Sequence, residues 1–129
     1  MSTDESGRVT FQSVSPIGDT DVNALPVKDV GPAMAYYTQV LGFEVVSRDG
    51  DVAVLRRGGA TIGLRKNDAD PEQASCYFSV GDVDALRAEY AAKHIEPSPV
   101  RVDEYGGKSY RVFFAKEPYG VCFCFGQAA

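Results

Sequence analysis

Residues 25–45 read LPVKDVGPAMAYYTQVLGFEV, and residues 78–97 read FSVGDVDALRAEYAAKHIEP. Laid over each other at an offset of 53, Val27 meets Val80, Asp29 meets Asp82, Val30 meets Val83, Ala35 meets Ala88 and Tyr37 meets Tyr90. Each stretch is an apolar strand end, an aspartate able to cap the free amides of a helix start, and an amphipathic helix. In the first copy Ala33, Met34, Tyr37, Val40 and Leu41 recur at spacings of three and four, and Gly42 stands where a left-handed C-terminal cap belongs. In the second, Val83, Leu86 and Tyr90 make the stripe. Two copies are too few for a solenoid. They predict one domain made of two small units, with helices near 30–41 and 83–93 and a ligand site where the units meet.

The flanking sequence extends each unit in the same order. VNALPV (22–27) and SCYFSV (75–80) read as the strands before the helices. After the first helix come FEVVSR, VAVLRR and ATIGLR, separated by the turns DGD (49–51) and GG (58–59). After the second come PSPVRV (97–102), whose prolines suit an edge, then SYRVFFA, the turn EPYG, and VCFCFG. The fold class expected is α+β: two βαβββ modules in tandem, about 21–67 and 74–126, within one domain spanning 21–129. Residues 1–20, rich in Ser, Thr, Asp and Gly, read as a flexible segment, with VTFQSV (9–14) as a short extra strand.

Alternation assigns the faces of each strand. In 75–80, Cys76, Phe78 and Val80 fit the helix side and leave Ser75, Tyr77 and Ser79 opposite; in 22–27, Leu25 and Val27 leave Val22, Ala24 and Pro26. In the last strand Val121, Phe123 and Phe125 oppose Cys122 and Cys124. One apolar and one mixed face per sheet suggest a cup, the default place for a ligand.

Composition narrows the partners. The chain has 129 residues and a net charge of −5, which disfavours nucleic acid and anionic membranes. Asp4, Glu5, Asp19 and Asp21 against Arg8 place most of that acidity in the first 21 residues. No apolar run approaches a membrane span, and the N-terminus lacks the pattern of a signal peptide. Three cysteines in strand-like stretches suit reduced thiols, so the protein is expected in the cytoplasm.

The stretches LPVKDVGPAMAYYTQVLGFEV, FSVGDVDALRAEY and YRVFFAKEPYGVCFCF together resemble the glyoxalase/bleomycin-resistance/extradiol-dioxygenase superfamily, the vicinal oxygen chelate proteins, over about residues 20–126. The last stretch is similar to that family's ending R-x-F-x-x-x-D-P-x-G-x-x-x-E. The resemblance implies paired βαβββ modules and a homodimer. It also implies four metal-ligand positions, which fall here on Val22, Gly63, Ser75 and Cys124. None is a His or carboxylate, so the expectation is no metal and no other cofactor. The closest fit in character is the metal-free bleomycin-resistance-like branch.

Individual residues carry competing readings. His94, the only histidine, reads as a solvated helix end. Cys122 and Cys124 read as small buried apolar groups, although thiolate binding of a soft metal is conceivable. Tyr77 either enters the cup, where its ring can stack on a planar ligand, or packs across the dimer. Arg65 reaches the cup rim or is a solvated strand end. DEYGGKSYR (103–111) is a lid anchored by Tyr105 and Tyr110, or an exposed hairpin. Arg56 and Arg57 read as solvated surface.

The functional expectation is metal-independent sequestration of a small aromatic or planar molecule, an antibiotic or toxin, by Tyr77, Tyr105, Tyr110, Arg65 and Cys124. No residue is assigned a catalytic role. Bleomycin itself fits poorly, because no acidic cluster lines the cup. The alternatives are a lyase, isomerase or dioxygenase with an atypical site, and a scaffold with a vestigial pocket.

Overall fold

Asp29 and Asp82 start both helices. The computed structural model describes residues 9–17, 20–66, 74–93, 95–117 and 120–128. In it α1 spans Val30–Gln39 and α2 spans Val83–Ala92. The Asp29 carboxylate accepts from the Gly31 amide at 3.2 Å, and that of Asp82 from the Ala85 amide at 3.0 Å. Each cap thereby satisfies an amide that the helix start leaves without an intrahelical partner. Gly42 adopts a φ of 82° just beyond α1, the left-handed geometry expected of it.

Nine strands complete the described chain: β1 Phe11–Pro16, β2 Leu25–Val27, β3 Glu44–Asp49, β4 Val52–Arg57, β5 Ala60–Lys66, β6 Ser75–Val80, β7 Arg101–Tyr105, β8 Lys108–Lys116 and β9 Cys122–Ala128. They form a four-stranded sheet, β2-β5-β4-β3, and a five-stranded sheet, β1-β6-β9-β8-β7. The modules correspond strand for strand. β2 lies parallel to β5 as β6 lies parallel to β9, and each meander pairs antiparallel. β1, drawn from the stretch read as an extra strand, adds to β6 antiparallel.

Two boundaries differ from expectation. Residues 22–24 form a turn and β2 begins at Leu25: the Ala24 amide donates to Asp21 O at 3.0 Å, and the Val22 carbonyl accepts from the Gly63 amide in the middle of β5. The weak strand expected over 97–102 shifts to Arg101–Tyr105. Pro97 and Pro99 precede it, where their missing amides interrupt no ladder. Segment 103–111 is the exposed hairpin rather than a separate lid. Tyr105 pairs with Lys108 across Gly106 and Gly107, whose φ values of 60° and 79° make the tight turn that only glycine adopts readily.

Both sheets turn their helix sides onto one core. Leu25, Leu55, Ile62 and Leu64 from the first sheet share a single buried cluster with Phe78, Phe113, Phe123 and Phe125 from the second. Phe11 from β1 sits between modules, with its ring 5.7 Å from that of Phe43 and 5.5 Å from that of Phe78. Polar groups cross the same seam. Tyr37 donates its hydroxyl to the buried Glu117 at 3.4 Å, and Tyr90 donates to the Leu41 carbonyl at 3.0 Å. Arg57, expected at the surface, is only 4% exposed. Its guanidinium donates to both Glu89 oxygens, at 2.8 and 2.9 Å, and to Leu41 O at 2.9 Å, and it lies 4.5 Å from the Phe11 ring centre. Arg56 is exposed as expected, paired with Glu44.

Among the described residues, no helix is long and apolar enough to cross a membrane. The seam gives a direct prediction. Arg57→Ala leaves Glu89 without its buried partner and should lower the unfolding free energy by about 3–5 kcal/mol. Arg56→Ala should cost less than about 1 kcal/mol. Urea denaturation of both variants measures the difference.

Candidate functional site

Because the helix sides of both sheets are consumed by one core, their other faces point outward, away from each other. Among the described residues, the faces opposite the helices therefore lie outside the core that joins the modules. The seam where they meet is packed. The sequence-predicted residues divide accordingly between two open faces.

The outer face of the five-stranded sheet follows from register. Tyr77 stands beside Cys124, Cys124 beside Phe114, Val112 beside Gly126 and Arg101, and Tyr110 beside Asp103. Tyr77, Tyr110 and Cys124 thus share one surface. Val112 is 3% exposed and Cys124 7%, yet neither belongs to the main core cluster. They form a second, small apolar floor on the outward side, flanked by Tyr77, Tyr110 and Phe114. Burial, then the Asp103 carboxylate and Cys122, raise the Cys124 thiol to about 11, with Arg101 pulling the other way. Burial and then Cys124 and Tyr110 raise Tyr77. These couplings place Asp103, Arg101 and both tyrosines around one spot. A thiol so raised favours its neutral form, which suits packing as a small apolar group.

Gly126 belongs to this site and carried no signal in the sequence. A β-carbon there would stand 2.8 Å from a Tyr77 ring carbon. The absence of a side chain lets the tyrosine lie across β9. Arg101 and Phe114 were also missed: the guanidinium lies 4.8 Å from the Phe114 ring centre, and its Nε meets Asp103 at 3.0 Å. Tyr105 occupies the register position opposite Lys108. His94 lies outside the described residues.

Arg65 lies elsewhere. It is exposed on the outer face of the four-stranded sheet, opposite Pro26 and Val52 and in line with Gly63. Among the described residues, two of the clefts in the surface are lined by none of Tyr77, Tyr110, Cys124 and Arg65. One, of about 690 Å³, follows the module seam past Phe11, Phe43, Arg57 and Glu89. The other, of about 650 Å³, runs from Phe114, Lys116 and Cys122 on the outer face towards Tyr36, Ile95 and Glu117.

The four positions at which the resemblance implies a metal do not fit one. Val22 is apolar and packs against the core. Gly63 has no side chain, and the backbone of Asn23 seals its outer side: a β-carbon at 63 would lie 2.6 Å from the Asn23 carbonyl carbon. Ser75 offers a hydroxyl, and Cys124 a protonated thiol. Among the described residues, no three His, Cys, Asp or Glu side chains gather where they could hold an ion. The donor set is wrong for a hard or borderline divalent cation.

The sequence model of the glyoxalase/bleomycin resistance protein/dioxygenase superfamily matches residues 20–125. Among solved structures, the bleomycin-binding protein from bleomycin-producing Streptomyces verticillus, complexed with copper(II)-bleomycin, is 26% identical. It aligns over 84% of this chain and 95% of its own, with a TM-score of 0.65. The bleomycin resistance determinant encoded on transposon Tn5 is 20% identical, over 85% of this chain and 98% of its own, with a TM-score of 0.70. A glyoxalase/bleomycin resistance protein/dioxygenase from Alicyclobacillus acidocaldarius is 18% identical, over 86% and 92%, also at 0.70. The last two likenesses concern the fold alone. No protein of curated function matches the chain.

The Tyr77–Gly126 contact predicts a coupling. Gly126→Ala should cost about 1–3 kcal/mol of stability by overpacking against the ring. In a Tyr77→Ala background that cost should largely vanish. A double-mutant cycle from urea unfolding checks it.

Proposed function

The chain belongs to the glyoxalase/bleomycin resistance protein/dioxygenase superfamily, and we propose that it sequesters a small planar or aromatic molecule without a metal. The observation that carries the reading is the outward apolar floor of Val112 and Cys124, flanked by Tyr77, Tyr110 and Phe114. Apolar side chains buried on the solvent side of a sheet, ringed by aromatic groups, favour a flat ligand over a charged metal chelate. Aromatic faces add about 0.5–1.5 kcal/mol each to the burial of another ring. The Streptomyces verticillus neighbour, whose structure holds copper(II)-bleomycin, supports a binding task over a catalytic one.

Closure requires a second chain. The Tyr77 face and the Arg65 face point to opposite sides of one molecule, so a twofold homodimer can lay the first face of each chain against the second face of its partner. Two equivalent cups result, each built from both chains. Neutralisation is then stoichiometric: the ligand is buried and no bond is broken.

Native mass spectrometry of protein isolated from its own cells should find a small molecule near one equivalent per chain, and elemental analysis should find well under one equivalent of metal. Tyr77→Ala should weaken calorimetrically measured binding of that molecule by about tenfold, which is 1.4 kcal/mol. It should lower stability far less than Phe78→Ala, a core truncation costing about 3–5 kcal/mol. Unchanged affinity in Tyr77→Ala, or a metal whose removal abolishes binding, contradicts the reading.

A further inference from the structure

The net charge of the chain is −5, but the proposed binding face has the opposite sign. Among the described outward positions of the five-stranded sheet stand three cations, Arg101, Lys108 and Lys116, against one carboxylate, Asp103. The outer face of the four-stranded sheet does not offset this. There Arg56 pairs with Glu44 at 2.8 Å, and Arg65 and Asp49 share the same surface, so the two signs balance. A cup closed from these two faces keeps its positive charge.

Arg101 also makes contacts that orient it. Its Nε and one terminal nitrogen meet the two Asp103 oxygens, at 3.0 and 3.1 Å, and its central carbon lies over the Phe114 ring, 4.8 Å from the ring centre. The side chain remains 62% exposed, and an exposed pair of this kind adds little to stability. The arrangement instead presents the remaining terminal nitrogen, which has no partner among the described residues, beside the apolar floor. Lys116 carries the charge onward to the mouth of the 650 Å³ cleft, and Lys108 stands at the far end of the same strand. Neither lysine has an ion-pair partner among the described residues.

We infer that the ligand is a planar anion, an aromatic ring system bearing a carboxylate, sulfonate or phosphate. This deepens the sequestration reading and rests on it. The ring covers Val112 and Cys124 between Tyr77 and Tyr110, and the acidic group pairs with the free edge of Arg101. Asp103 is the positioning residue that orients the guanidinium. A guanidinium can donate two hydrogen bonds to such a group where a lysine can offer only a point charge. A cationic ligand would face three like charges at this surface.

Two tricyclic fluorophores of matched size test it on the full chain: acridine-9-carboxylate, an anion at pH 7.5, and 9-aminoacridine, a cation. The wild type should bind the anion about tenfold more tightly than the cation, with the preference shrinking in 0.5 M salt as screening shortens to a few ångströms. Arg101→Gln should erase the preference, and Arg101→Lys should recover part of it. Tyr77→Ala should weaken binding of either probe. Equal or tighter binding of the cation overturns the anion assignment. If Tyr77→Ala still weakens that binding, sequestration survives; if it does not, both fall. Failure of both probes to bind also overturns the anion assignment.

Discussion

Tyr37 and Tyr90 occupy equivalent positions in the repeat, and each sends its hydroxyl into the opposite module. Tyr37 reaches Glu117 and Tyr90 reaches the carbonyl of Leu41. The same carbonyl receives Arg57, which grips Glu89 on α2 with both terminal nitrogens. Burying these groups without partners would cost several kcal/mol, so the seam is specified by polar pairing as well as by Phe11, Phe43 and Phe78. Everything else about the molecule follows from that back-to-back arrangement. The helix sides are used up, and the opposite faces lie outside the shared core.

Much of this was legible in the sequence. Offset repetition and Asp caps fix the helices, alternation in 75–80 puts Tyr77 opposite Phe78, and turn glycines delimit the meanders. These are local signals, read within a few residues. Arg57 was not legible, because its partner Glu89 lies 32 positions away and nothing in RRGG separates a buried arginine from a solvated one. The turn at 22–24 was hidden for a similar reason. It is held by Gly63 across the sheet, and VNALPV alone reads as strand throughout. Gly126 looked like the end of a strand until Tyr77 was seen lying over it. The packing of the two modules onto one core depends on contacts no single segment contains.

The outward face of the five-stranded sheet combines an apolar floor with aromatic and cationic groups, which is the chemistry the proposed binding would use. Burial raises its two thiols, and the Asp103 carboxylate pairs with Arg101. The ligand positions of the wider superfamily hold Val22, Gly63, Ser75 and Cys124. Restoring a carboxylate at 63 would require moving the Asn23 backbone, so the departure lies in the main chain as well as in side chains. Binding by stacking and charge pairing needs no such centre. It also needs no conformational cycle, which suits a fold whose two halves share one packed core.

The central claim is that each site combines the Tyr77 face of one chain with the Arg65 face of its partner. Mixed dimers test it most directly. Tyr77→Ala and Arg65→Ala chains, carrying different affinity tags, would be co-expressed and the heterodimer isolated. A site shared between chains leaves the heterodimer with one doubly damaged cup and one intact cup. Calorimetry should then find one equivalent of acridine-9-carboxylate bound per dimer at wild-type affinity, although each homodimeric variant binds weakly. A heterodimer whose sites are all as weak as those of the parents, or a protein that remains monomeric while binding at full affinity, would contradict it.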